Sequence, residues 1–490
     1  MRQVWALVLG LGLAAACGDP AREEDGIGTA DLPTTITQGQ DTDQDDGDTT
    51  SEGSVDTDDV KLDVGAPETG MDPDGPDGTC PPLPGTDATL TGIVYAPNQE
   101  IPVSGALVYL TDEPPDGIPQ TVYCAECVEL PCDIPFVLTE ADGSFELPAY
   151  SGGTHLVVRK GQFMRVTELT VEPGPTEFGP ELTSLPDENV PTDGRYIPRI
   201  ALAWGSYDRL EDALGKLGLA DTIIEDFQQD FVPGTEQFDV WSNTTDIFGG
   251  GPETTSLGSF AQLLGSYTLM EQYHIIFVPC SDDTALSALN DPAVIENIRR
   301  WVDNGGKFYA SDWSNEFIGR VFGQYQTFYT DGGTADLPDP YSSTATVLDD
   351  DLTAWLDALP PGLKDINPLN GAGASFPAVN APPTIETVDN WSGIASTPSV
   401  LVDDGMGGQI DVGHKVWIEG PGDSNIIPSG NHPLTVTGEY GCGKVLFTTY
   451  HMAEFSDSYV GLTPQELVLL YLILEIGVCQ VPYDAPPPVG

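Results

Sequence analysis

Residues 298–317 read IRRWVDNGGKFYASDWSNEF, and this stretch decides the fold class. Ile298, Trp301 and Val302 continue an apolar stripe that starts at Ile295, the spacing of one helix face. Asp291 caps that helix, Pro292 occupies its first turn, and Asn304-Gly305-Gly306 ends it. Residues 307–310 then form a short apolar strand, and 315–322 read as the next helix. The same alternation recurs on both sides. Upstream, residues 199–204 are an apolar strand, followed by a helix with Leu210, Ala213, Leu214 and Leu217 on one face, and 274–279 is a strand of the fully buried kind. Downstream, strands return at 415–419, 434–437 and 444–450, and Thr463-Pro464-Gln465-Glu466 is a capping box that opens the last helix. Strand and helix in turn predict a parallel sheet covered by helices on both faces, over residues 198–480. Residues 324–400 are rich in Pro, Gly, Asp and Thr, and read as an irregular insertion with one short helix near 352–359.

Before this α/β region, residues 88–175 show short strands punctuated by turns, the pattern of a small all-β sandwich. Strands are expected at 88–95, 105–110, 136–139, 144–147, 155–159 and 166–171. Ala141-Asp142-Gly143 joins two of them as a hairpin, because Asp-Gly suits positive φ. Residues 176–197 read as a linker and 481–490 as a Pro-rich tail.

The amino terminus carries a targeting signal. Arg2 is a short positive region, residues 4–13 are an apolar run too short to span a bilayer, and Ala14-Ala15-Ala16-Cys17 brings small residues up to a cysteine. This resembles the lipobox of bacterial lipoproteins, with Ala14 standing where the usual leucine would be. The resemblance implies cleavage before Cys17, its lipidation, and an exported protein of the cell envelope, on the periplasmic face of the outer membrane or at the cell surface. Residues 18–87 follow as a disordered acidic tether: 18–80 hold 19 acids, two bases and no aromatic residue, too little apolar surface to offset chain entropy. Asp41, Asp43, Asp45 and Glu52 fall at EF-hand spacing, but Asp46 stands where the loop needs glycine. A weak surface calcium site is the most that pattern supports, and no cofactor is predicted.

The net charge of the chain is −60. Nucleic-acid partners are excluded, since phosphate recognition needs Lys and Arg in clusters. The expected partners are the membrane, through the lipid anchor, and an envelope or extracellular ligand.

Cysteine usage fits an exported chain. Cys124, Cys127 and Cys132 lie in an insertion between the sandwich strands and, with Cys80 as fourth partner, are the disulfide candidates. A zinc site there lacks a fourth ligand, and a Cys-x-x-Cys redox centre lacks its helix. Cys280, Cys442 and Cys479 remain, an odd number that leaves one thiol over.

Two family resemblances follow from quoted motifs. LTGIVYAP (90–97), PVSGALVYL (102–110), TEADGSFELP (139–148) and GGTHLVVRKGQF (152–163) resemble the carboxypeptidase regulatory-like domain, a transthyretin-type β-sandwich. That resemblance implies a scaffold without catalysis. YHIIFVPCS (273–281), the opening stretch, and GEYGCGKVLFTTYHMAEF (438–455) resemble the class I glutamine amidotransferase-like fold, a flavodoxin-type sheet shared with ThuA-like proteins. The family places a nucleophilic cysteine at a strand-end elbow, where this chain has Ala310-Ser311-Asp312-Trp313-Ser314. Its base is a histidine two residues before a glutamate, where this chain has His451 with Glu454 three residues on. The nucleophile is replaced and the acid displaced, so glutaminase activity is not implied.

Other chemistry at that end of the sheet would use Asp312 or Cys280 as nucleophile and His451 as base, with Glu454 to orient it. Ser206, Asp208, Ser281, Asp282, Ser311 and Trp313 complete the expected cleft, since ligands bind at the carboxyl ends of such strands. The bland reading makes Asp312 a helix cap, His451 a hydrogen-bonded strand end and Cys280 a small buried hydrophobe. The five histidines (155, 274, 414, 432, 451) show no metal spacing in sequence, and no metal is expected. The reading that results is a non-enzymatic, membrane-anchored binding protein, with an exported hydrolase as the alternative.

Overall fold

Eight short strands come first: β1 (Ala88–Ile93), β2 (Leu107–Thr111), β3 (Phe136–Leu138), β4 (Ser144–Ala149), β5 (His155–Lys160), β6 (Phe163–Glu168), β7 (Gly174–Glu177) and β8 (Arg195–Tyr196). They form two sheets, ordered β4-β1-β7 and β3-β2-β5-β6-β8. Period-two burial sets the facing: β4 buries Phe145, Leu147 and Ala149 and turns the residues between them outward. These meet Leu90 of one sheet and Val108, Leu110, Leu156 and Val158 of the other in a shared apolar layer. The opposite face of the larger sheet is also covered, by Ile118 and Leu130 packed on Leu107, Tyr109 and Val157. The computed structural model describes residues 85–125, 130–131, 133–205, 207–244, 256–281, 285–330, 335–371, 375–403, 408–422, 425–452 and 458–476.

Two expectations are corrected here. The 136–147 hairpin is not one: β3 pairs with β2 whereas β4 pairs with β1, so the Asp142-Gly143 turn carries the chain between sheets. Gly143 does adopt φ +77, as the turn requires. Nor are residues 176–197 a mere linker, because β7 ends among them and β8 extends the larger sheet beside β6.

The chain continues with β9 (Ile200–Trp204), an antiparallel pair β10 (Thr222–Glu225) and β11 (Gln228–Phe231), then β12 (Asp239–Ser242), β13 (Ile275–Val278) and β14 (Lys307–Ser311). After these come β15 (Thr327–Phe328), β16 (Asp336–Val347), β17 (Thr384–Ser392), β18 (Ile394–Ser396), β19 (Leu401–Asp403), β20 (Gln409–Asp411), β21 (Lys415–Pro421), β22 (Asn431–Tyr440) and β23 (Gly443–Thr448). Nine of them make one sheet, ordered β12-β9-β13-β14-β23-β22-β21-β16-β17. The first five are parallel to one another. The rest run antiparallel, beginning with the β22–β23 pair, whose short turn through Gly441 and Cys442 allows no crossover. The expected parallel sheet is therefore one half of a mixed sheet.

Residues 324–400, expected to be irregular, supply β16 and β17 of that sheet. In β16 the residues Tyr341, Ser343, Ala345 and Val347 point inward at period two, while Pro338, Asp339 and Pro340 are exposed and obscure the pattern. The short helix is found at Asp350–Ala358.

The parallel strands are apolar on both faces because helices cover both. Ala201, Ile276, Phe308 and Phe447 face the helix Pro292–Asp303 through Ile298 and Trp301. Leu202, Phe277, Tyr309 and Leu446 face the helix Pro464–Ile476, and this layer is continuous with the sandwich core. Trp355 Nε1 donates to the Pro102 carbonyl (2.8 Å) and Lys160 pairs with Glu475 (2.7 Å), so polar contacts reinforce the same junction. The capping box forms as expected: Thr463 N–H donates to Glu466 Oε2 (2.7 Å) and Glu466 N–H to Thr463 Oγ1 (3.2 Å). No helix among the described residues is long and apolar enough to cross a membrane.

Cys124 is disulfide-bonded to Cys442, 318 residues away. Its expected partners in a local cluster, Cys80, Cys127 and Cys132, lie outside the described residues, as do Cys17 and Cys479. The physical reason for the correction is tertiary. His274 Nε2 donates to the Thr121 carbonyl (3.0 Å) and Val122 N–H to Glu271 O (2.8 Å), which lays the insertion across the amino ends of β14 and β23. Gly305, past the end of the Pro292–Asp303 helix, has φ +105, and an added Cβ would overlap the Tyr123 carbonyl in this same segment. Gly305→Ala should therefore lower stability by about 1–3 kcal/mol in urea denaturation, and an unchanged midpoint would refute the contact.

Candidate functional site

The register of the parallel strands brings their carboxyl ends level: Val278 of β13 lies beside Ala310 of β14, and Ser311 of β14 beside Thr448 of β23. The next residues of each strand therefore converge. Cys280 follows β13, Asp312 follows β14 and His451 follows β23. One donor atom from each lies within 4.8 Å of the other two, and His451 Nε2 is 3.4 Å from Asp312 Oδ2.

Asp312 occupies the elbow in the left-handed region, φ +53, which is costly for a residue with a Cβ, by about 1–3 kcal/mol. It opens the 3-10 turn Asp312–Asn315 without capping it; Ser311 is the cap position, and the Asp312 carboxyl turns to His451 instead. The helix-cap reading of Asp312 is thus corrected. Ser311 holds the neighbourhood together: its hydroxyl accepts from Cys280 N–H (3.0 Å) and donates to Asp208 Oδ2 (3.2 Å). Asp208 Oδ1 also accepts the Met452 N–H (3.1 Å), which fixes the strand end that carries His451.

The remaining expected cleft residues divide. Ser281 is buried and its hydroxyl donates to the Asn243 carbonyl (3.1 Å). Trp313 stands edge-on to Tyr207 and Trp391, a short aromatic wall beside the elbow. Ser206, Asp282 and Glu454 lie outside the described residues. Sequence reading missed Asn243, Gln465, Asp336, Asp389 and Trp391. Gln465 Nε2 donates to the His451 carbonyl (2.5 Å), and Asn243 Oδ1 accepts from Ala285 N–H (3.0 Å). The last three belong to β16 and β17, in the stretch expected to be irregular.

Burial governs the electrostatics. Cys280 and Asp312 are 0 % exposed and His451 2 %. Burial, and then the negative charges of Asp208 and Asp336, push the Asp312 carboxyl well above the usual carboxylate range. Burial pushes His451 down to about 3. Burial thus disfavours the charged form of both groups, and an imidazole of that pKa is a poor base.

No protein-family model and no curated protein matches the chain. Among solved structures it is similar to a ThuA-like protein from Parabacteroides merdae, with 11 % identity over 59 % of this chain and 94 % of that one, at TM-score 0.31. A ThuA-like protein from Bacteroides uniformis gives 12 % identity over 56 % and 91 %, at TM-score 0.29. A cytoplasmic protein from Salmonella typhimurium gives 14 % identity over 46 % and 81 %, at TM-score 0.24. Likeness at this level carries no argument about activity. The chemistry has to be read from the residues.

Those residues offer sulfur, oxygen and nitrogen from three strand ends, in a space closed to solvent. Of the cavities lined by described residues, one of about 570 Å³ lies at the opposite end of the sheet, against Cys124, Arg300, Asp303 and Cys442. It has no contact with Cys280, Asp312 or His451. Convergence at the strand ends and accessibility are therefore separate matters in this protein.

Proposed function

We propose that the chain is an exported, lipid-anchored protein of the cell envelope that binds a polymer, a partner or a small ligand and carries out no catalysis. In this reading an acidic tether leads to a transthyretin-like sandwich, and then to an α/β domain of the flavodoxin and amidotransferase type. Numbered in chain order, the five parallel strands run 2-1-3-4-5, the order of flavodoxin-like sheets, which supports the assignment. The observation that carries the functional reading is the burial of Cys280, Asp312 and His451, at 0–2 % exposure. A nucleophile that meets neither solvent nor substrate does not turn over.

A second reading, a hydrolase using Asp312 or Cys280 with His451, draws support from their convergence and from the left-handed elbow at Asp312. One experiment separates the two. The purified full chain is screened against ester, amide and glutamine substrates beside His451→Ala. No turnover above the variant is expected. Turnover abolished by His451→Ala and by Cys280→Ala would overturn the binding reading. Anchoring is tested apart from this, by labelling expressing cells with an alkyne-bearing fatty acid: the wild type should carry the label and Cys17→Ser should not.

A further inference from the structure

From the geometry of the three strand ends we infer that Cys280, Asp312 and His451 form a site for a divalent transition metal of the zinc class. The site builds on the sealed, non-catalytic reading of the same cluster, and it explains what such a cluster does when no substrate reaches it.

The donor set comes first. A cysteine sulfur, a carboxylate oxygen and an imidazole nitrogen are each ordinary zinc ligands. Bonds of about 2.0–2.3 Å to a tetrahedral centre place ligand atoms about 3.3–3.8 Å apart. His451 Nε2 and Asp312 Oδ2, at 3.4 Å, already have that separation. The whole set falls within 4.8 Å, so closure around an ion needs side-chain shifts of about an ångström and no backbone change. Cys280 is not disulfide-bonded and keeps its thiol.

The surroundings favour a cation. The carboxyl groups of Asp208, Asp336 and Asp389 lie close enough to act on Asp312. Burying one more carboxylate among them is unfavourable, and a divalent ion bound at Asp312 offsets that charge where it is most concentrated. Support behind the ligands is also in place. Ser311 ties the Cys280 backbone to Asp208, Asp208 ties Met452, and Gln465 holds the His451 carbonyl, so each ligand's strand end is anchored by a hydrogen bond. Three protein ligands leave the fourth position to water. Sequence spacing could not reveal this site, because its ligands are 32 and 139 residues apart and meet only through the sheet register.

The test uses cobalt as a probe, because the acidic surface of this protein will bind any divalent ion weakly but only a thiolate ligand gives a sulfur-to-cobalt charge-transfer band. The full chain, purified without chelator and stripped, is titrated with Co²⁺ alone. One band saturating near one ion per chain is expected, with Zn²⁺ displacing it. Cys280→Ala should abolish the band. Asp312→Asn, which keeps the side-chain shape and guards against misfolding of the cysteine variant, should keep the band and weaken Co²⁺ at least the ten- to hundredfold that loss of an outer-shell partner costs. Absence of the band in wild type with a titratable Cys280 thiol would overturn the proposal, as would an undiminished band in Cys280→Ala. Hydrolytic turnover that appears with the metal and vanishes with chelation would leave the metal site standing and overturn the non-catalytic reading.

Discussion

Replacing Cys124 or Cys442 with serine is expected to lower the stability of the folded chain by about 3–5 kcal/mol. The two are 318 residues apart, so the bond closes a very long loop. Chain-entropy arithmetic for such a loop gives about 6 kcal/mol, a ceiling that residual structure in the unfolded chain reduces. Location adds to the effect. Cys124 sits in the insertion of the sandwich and Cys442 in the β22–β23 turn, so the bond ties the edge of one region to the centre of the large sheet. Urea denaturation of Cys124→Ser and Cys442→Ser beside the wild type, and of the wild type with and without reductant, measures this directly. The three perturbed forms should agree to within about 1 kcal/mol. Identical midpoints in all four samples would mean that the bond does not constrain the unfolded chain.

The second large effect has the opposite sign. Lys307 begins β14 with 1 % exposure, and its Nζ has no hydrogen-bond partner among the described residues. Its register neighbour across β23 is Lys444, also buried. Burial first, then the charges of Lys444 and Arg159, push the Lys307 amine down to about 7 from 10.5. Between those two values the unfolded chain binds the proton and the folded chain does not, so wild-type stability rises with pH through that window. Below pH 7 the folded state carries the full cost of a buried, unpaired ammonium. Lys307→Met removes the charge and keeps the length, and should stabilise the protein by about 2–4 kcal/mol at pH 6. The gain should shrink steadily from pH 7 and be nearly gone by pH 10. A variant that is destabilised at pH 6, or whose difference from wild type ignores pH, would show that the amine is solvated or paired.

What could be read from the chain, and what could not, follows from where the information lies. β9 and β13 are uninterrupted apolar runs, and β14 is apolar between Lys307 and Ser311, because both faces of a parallel sheet are covered, and such runs are visible in sequence. β16 is not. Its inward row includes Ser343, its outward row includes Pro338 and Pro340, and it pairs with β17 through register shifts. The site divides on the same line. Cys280, Asp312 and His451 each follow a legible strand, and parallel register brings strand ends level, so their meeting could be expected. Asp336, Asp389 and Trp391 arrive on strands hidden by composition, and Asn243 and Gln465 contribute through backbone contacts that leave no mark in sequence. The Cys124–Cys442 pairing was illegible for another reason. Spacing suggested a local cluster, whereas the bond is set by how the insertion lies across the sheet.

The apolar layer shared by the sandwich and the α/β region bears on how this chain can change over generations. Ile101 and Val103 from the sandwich line one small crevice with Leu217, Trp355 and Leu474 from beyond it. Side chains so packed accept volume changes only in concert. A substitution that enlarges Val103 must be answered on the last helix, and a sandwich grafted from another protein would meet a surface shaped for a different partner. Modules joined by exposed linkers can be shuffled freely. Here the two folds share one apolar layer, so exchange should succeed only at places where no core crosses the seam.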